Sequence, residues 1–138
     1  MILSVNDNMV CRYKINEKVG EMTDELVKAV WEKGAIVDDF DEDLIRKDAC
    51  GAWIVFEEYG NRESDFGWEV DHVYPRSRGG DDNIDNLRPL NWRNNESKGN
   101  DFPEYQCAVC AQNENNVEIS RTLIVNEKLR HKLERLYK

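Results

Sequence analysis

Long apolar runs are absent from this 138-residue chain, and no stretch approaches the roughly 20 residues that a bilayer-spanning helix needs. The start of the chain has no basic segment leading into an apolar one, so neither a signal peptide nor a membrane anchor is expected. Cysteine is limited to Cys11, Cys50, Cys107 and Cys110, which follow no regular framework. That usage points to reduced thiols and a cytoplasmic location rather than to a disulfide scaffold. An excess of positive charge is also missing. The formal net charge is -9, which weighs against strong unaided binding to a polyanion.

The acidity is uneven. Residues 1–70 hold 17 acidic and 8 basic side chains, whereas residues 71–138 hold 11 of each, so the surplus belongs to the first half. The length suits one domain with a modest core, read as an acidic helical flank (1–49), a central core (50–100) and a C-terminal flank (101–138). Residues 1–15 read as a short strand or extended arm. Thr23 reads as an N-cap, with Asp24 and Glu25 in the first turn, Leu26, Val27, Val30 and Trp31 on one face, and Gly34 as the stop. The acidic run at 38–43 reads as a solvated turn, since it lacks the glycine and terminal glutamate of a calcium loop. Residues 44–59 lead from a short helical piece into an apolar strand over 52–56. After the core, 111–116 reads as a polar loop and 117–125 as a strand. Asn126 then caps a terminal helix with Leu129, Leu133 and Leu136 in a stripe and a basic outer face, whose first reading is a helix docked on the domain.

What is present, and dense, lies between residues 68 and 99: an Asp71-His72 pair, Pro75, a Gly79-Gly80 pair, Asn86-Leu87, Asn94-Asn95 and Lys98-Gly99. Residues 68–74 alternate as a half-buried strand that Pro75 ends. Residues 76–85 are rich in turn formers, 87–90 read as a second strand, and 92–98 as a helix stopped by Gly99. The order is strand, loop, strand, helix. Hydrolysis of a phosphodiester needs a base for water and a cation for the leaving oxygen, and these residue types suit both tasks. Histidine is the side chain whose ordinary titration range lies near neutrality, so His72 suits the role of base. Asp71, on the opposite side of an extended chain, and the amide oxygen of Asn95 are hard donors suited to Mg²⁺. Asn86 carries both a donor and an acceptor with which to tie the loop back to the strand.

These positions, in this order and spacing, resemble the HNH endonucleases, the ββα-metal or His-Me finger family. The interval from Asn86 to Asn95 is that of the HNH domain in RNA-guided CRISPR effector nucleases. The resemblance implies an α+β fold with a ββα-metal core, flanking helices and a short additional strand. It implies His72 as general base, Asn86 as the residue that fixes the active-site loop, and Asp71 with Asn95 as ligands of Mg²⁺ or Mn²⁺, Asn94 standing in if the helix register differs by one. Lys98 would face the phosphate backbone, and Arg76, Arg78 and Arg93, with Arg88, would form a local basic rim. The expected activity is metal-dependent hydrolysis of nucleic acid, DNA first, with a protein partner to deliver substrate given the net charge. The alternative is a module that keeps the fold and binds nucleic acid or protein without cutting.

Many HNH proteins resemble a zinc ribbon wrapped round the nuclease. Here the positions of its two pairs would be Lys47 with Cys50 and Asn91 with Asn94, so three of four ligands are missing, which argues against that zinc. Packing by Trp53, Trp68 and Trp92 would replace it. The Cys107-Cys110 pair lies beyond the motif and would need two more ligands from Cys11, Cys50 or His131; buried thiols are the simpler reading.

Overall fold

The structure, a computed structural model, describes residues 22–138. The arm expected over residues 1–15, and Cys11 with it, lies outside these residues. Thr23 caps α1 (Asp24–Trp31), its Oγ1 accepting from Leu26 N at 3.1 Å, and Val27, Val30 and Trp31 form the buried face. The helix ends before the expected stop. Gly34 lies beyond it in a tightened turn, donating from its N–H to Trp31 O at 2.9 Å.

A strand, β1 (Ile45–Lys47), stands where a short helical piece was expected, and it pairs antiparallel with β2 (Trp53–Val55). The reason is tertiary. Arg46 is buried, and its guanidinium donates to the carbonyls of Glu42, Glu32 and Gly34 at 2.9, 2.9 and 3.0 Å, fastening the strand to the end of α1. The central strands are β3 (Trp68–His72) and β4 (Leu87–Asn91), antiparallel from Trp68 opposite Asn91 to His72 opposite Leu87. From β4 the chain enters α2 (Trp92–Lys98) at once, with Asn91 as N-cap and Gly99, at φ 53°, closing the last turn. β5 (Glu104–Gln112) and β6 (Asn115–Ile124) form a hairpin, so the polar loop expected over 111–116 contracts to residues 113 and 114. Asn126 caps α3 (Glu127–Tyr137), accepting from the N–H groups of Lys128 and Leu129. Three helices and three two-stranded antiparallel sheets among the described residues make this an α+β fold.

Two apolar clusters flank the central hairpin. α1 packs Val27, Val30 and Trp31 against Ile54, Trp68 and Leu87. α3 and the β5–β6 hairpin pack Leu133, Tyr105 and Val125 against Val73, Tyr74 and Phe102. Trp68 therefore anchors one end of β3, and Val73 with Tyr74 anchors the loop that leaves the other.

Cys50 and Cys107, expected as reduced thiols, are joined in a disulfide across 57 positions of sequence, and Cys110 is a free thiol. β5 folds back over the loop before β2, where Ala111 N donates to Gly51 O at 2.9 Å. This removes Cys107 from any zinc pair with Cys110. Where a zinc ribbon would bring its two ligand pairs together, the carboxylate of Asp48 does the joining. Its Oδ1 accepts from the N–H groups of Cys50 and Ala52 at 2.9 and 2.8 Å, and its Oδ2 from Asn91 N and Asn94 Nδ2 at 2.8 and 3.0 Å. Burial pushes the Asp48 carboxyl above the ordinary aspartate range, against the pull of these donors. In Asp48→Asn the new NH₂ faces two donors, so urea unfolding should show a loss of about 2–3 kcal/mol.

Candidate active site

The loop between β3 and β4 is organised by Asn86. This fully buried amide accepts Tyr74 N–H at 2.7 Å through Oδ1, and donates from Nδ2 to Tyr74 O at 3.0 Å and Asp81 O at 3.1 Å. One side chain thus stands in for a strand partner beyond the end of β3, where Val73 N also donates to Asn86 O. Gly80 lies against the same carbonyl. A Cβ built on it would fall 1.9 Å from Tyr74 O and 2.9 Å from Asn86 Nδ2, so only glycine lets the loop close.

Closure brings Asp82 to His72. The imidazole Nε2 lies 2.8 Å from Asp82 Oδ1, and the His72 side chain is mostly buried, 16 % exposed. Asp82 also receives Arg76 Nη1 at 3.3 Å. Nothing in the spacing of the motif singled out Asp82 over its neighbour Asp81. The available signal was chemical: a histidine at a strand end, faced by a loop with two consecutive aspartates. Asp81 turns the other way and accepts from the Tyr137 hydroxyl at 2.5 Å, a bond that holds its carboxyl below the usual aspartate range. Lys132 pairs with Asp85 at 3.1 Å, so α3 braces the loop at two points.

Asp71 points away from His72, as alternation requires, into the space between β3, β4 and α2. It is 3 % exposed and both oxygens are occupied: Oδ2 by Arg88 Nε at 2.9 Å, and Oδ1 by Lys98 Nζ at 3.2 Å. Lys98 Nζ also donates to His72 O at 3.2 Å. Burial pulls the Lys98 ammonium below the usual lysine range, partly offset by Asp71. Burial would do the same to Arg88, but there the carboxylate prevails and the guanidinium is held above its ordinary value.

Asn95 donates from Nδ2 to Glu69 Oε1 at 2.9 Å, and Glu69 is in turn paired with Arg62 at 2.6 Å. Asn94 is spent on structure. Its Oδ1 accepts from the N–H groups of Ala108 and Val109 at 2.7 and 2.9 Å, while Nδ2 reaches Asp48 and Val109 O. The donors near Asp71 are hard oxygens, the right chemistry for Mg²⁺. As arranged they nevertheless do not fit a divalent cation, because each carboxylate of this face is already held by cationic side chains.

Lys98, expected to face a phosphate backbone, is instead 1 % exposed beneath α2. Its pairing with Asp71 offsets the cost of enclosing the ammonium there. The rim is therefore smaller than the sequence implied. Arg76 is exposed beside Asp82, Arg78 donates to Phe102 O at 3.2 Å, and Arg93 reaches across to Glu118 on β6 at 2.9 Å. Arg88 lies inside, its guanidinium over the Tyr105 ring at 4.9 Å.

Because the loop closes on a glycine, Gly80→Ala should cost about 1–3 kcal/mol in urea unfolding. The same substitution should shift the His72 ring resonances in NMR spectra as the Asp82 contact opens.

The profile of the HNH endonuclease family matches residues 62–104, which contain β3, the loop, β4, α2 and the residues Asp71, His72, Asp82, Asn86, Asn95 and Lys98. No curated protein and no solved structure matches the chain. That segment, with its strand, loop, strand and helix closed around Asp71-His72, is similar to the HNH endonuclease family.

Proposed function

We propose that the chain is an endonuclease that hydrolyses phosphodiester bonds of nucleic acid, DNA in the first instance, with His72 as the general base. The observation that carries this reading is the 2.8 Å contact between His72 Nε2 and Asp82 Oδ1, in a loop held by Asn86. An ionised carboxylate only accepts, so the neutral imidazole keeps its proton on Nε2 and leaves the Nδ1 lone pair available. Nδ1 takes a proton from water. The resulting oxygen nucleophile adds to phosphorus in line as the bond to the opposite oxygen breaks, and Asp82 stabilises the imidazolium that forms. Arg76 and Arg78, on the turn that follows Pro75, supply positive charge on the His72 side for the substrate's phosphates.

Mg²⁺ or Mn²⁺ is the cofactor class that HNH nucleases generally use. With Asp71 held by two cations, no step of this sequence is assigned to it. The acidic first half of the chain favours a protein partner that delivers substrate. A second reading, a binding module that retains the fold without cutting, is favoured by the same occupied state of Asp71.

Nicking of supercoiled plasmid at low salt, in Mg²⁺, Mn²⁺ or EDTA, separates the two. The nuclease reading expects cation-dependent nicking that falls by roughly a hundredfold or more in His72→Ala. No nicking under any condition by folded protein would favour the binding module. For Asp82→Ala, kcat should drop roughly tenfold to a hundredfold with KM little changed and the melting temperature within a few degrees of wild type, because the side chain orients the base without holding the fold.

A further inference from the structure

We propose that the outer face of α3 holds the phosphate backbone of duplex DNA next to the loop that serves His72. This rests on the nucleic-acid substrate of the proposed nuclease and names the surface that receives it. The chain has a net charge of -9, yet residues 126–138 hold five basic side chains against two acidic ones. The basic ones are also sorted by face. Leu129, Leu133 and Tyr137 pack into the cluster around Val73 and Tyr74, with Leu133 fully buried. Lys128, His131, Arg135 and the C-cap Lys138 recur every three or four positions, which places them in one line on the opposite side of the helix, and all four are exposed. The line is about 15 Å long, enough to follow several phosphates of one strand.

Little of this charge is used up within the protein. Among the described residues Lys128 and Arg135 form no ion pair, and Lys138 meets Glu134 only at 3.7 Å. Glu134 is itself tied to Arg130 at 3.3 Å, and Glu127 stands in the first turn, where it complements the helix dipole. The carboxylates of the adjoining loop are covered as well. Asp81 accepts from the Tyr137 hydroxyl at 2.5 Å and Asp85 pairs with Lys132 at 3.1 Å, which reduces their repulsion of a polyanion. These two contacts also set where the face lies. They grip the segment that carries Asp82 to His72, so the line of cations keeps a fixed position relative to the base. An acidic protein would match the same charge, but fastening to the loop of the base favours the molecule on which the base acts. Contacts of this kind position a duplex without reading its sequence.

The salt dependence of binding to a short DNA duplex tests the face, read by fluorescence anisotropy in EDTA on His72→Ala protein, so that no cleavage enters. Each phosphate neutralised contributes about 0.9 to the slope of log K against log salt. Adding Lys128→Gln, Arg135→Gln and Lys138→Gln together should lower that slope by about two to three and weaken binding roughly tenfold or more at low salt. Because the three side chains are exposed, the melting temperature should stay within a few degrees of the parent protein. Lys28→Glu, on the exposed side of α1 across the central hairpin, should leave the slope unchanged. An unchanged slope in the folded triple variant, or an equal drop in Lys28→Glu, overturns the surface while leaving the nuclease reading to the plasmid assay. Absence of duplex binding by the parent protein at low salt overturns it too. Loss of self-association in the triple variant, seen by sedimentation with the slope unchanged, gives the face to an acidic patch of a second copy instead. A lowered slope in a protein whose wild type never nicks plasmid keeps the surface and sinks the cleavage.

Discussion

Short sheets leave backbone groups without partners, and in this protein buried asparagine and aspartate side chains supply them. β2 has three residues and β3 and β4 five each, so peptide groups just past their ends have no neighbouring strand. Asn86 serves Tyr74, Asp48 serves Cys50, Ala52 and Asn91, and Asn94 serves Ala108 and Val109. Asn116, on the distant hairpin, both accepts from and donates to the backbone of Trp53, at 2.8 and 3.1 Å. Apart from those of Asp48 to Cys50 and Ala52, these bonds join segments twelve or more positions apart. A fold with so little ladder is held in register by these side chains, and the position of the His72 loop follows from one of them.

The charges obey the same rule of buried partners. Asp71 and Lys98 are almost completely enclosed and tolerable only together, with Arg88 completing the set. His72 and Asp82 sit at the edge of the same unit, more open to solvent, where proton exchange with water is possible. β3 thus separates a closed ionic cluster on one face from a reachable imidazole on the other, through nothing more than the alternation of consecutive residues. Lys98, on α2, bonds both to Asp71 Oδ1 and to the His72 carbonyl.

The family segment, residues 62–104, packs against later and earlier parts of the chain on both sides. α1 covers Trp68 and Leu87 on one side; α3 and the β5–β6 hairpin cover Val73 and Tyr74 on the other. α3 also grips the loop through Tyr137 with Asp81 and Lys132 with Asp85. The disulfide and the Asp48 carboxylate stitch β5, β2 and the β4–α2 junction together where zinc-ribbon relatives of the motif would use metal.

Much of the central unit was legible from residues alone because its signals are local. Alternation gave β3, Pro75 and Gly79-Gly80 gave the turn, Gly99 stopped α2, and Thr23 and Asn126 capped α1 and α3. β1 and β5 were not legible, since Arg46 becomes a strand residue through carbonyls more than ten positions away, and β5 carries a single β-branched residue and is defined by its partner β6. The pairing of Cys50 with Cys107 was hidden by 57 residues of separation. The choice of candidate residues, Asp82 excepted, therefore belonged to the sequence, through residue types at fixed spacing. Their partners belonged to the tertiary structure: Asp82 on His72, Arg88 and Lys98 on Asp71, Glu69 on Asn95. A spacing says which side chains share an element, whereas burial and charge balance decide which of the groups brought together by folding each one must satisfy.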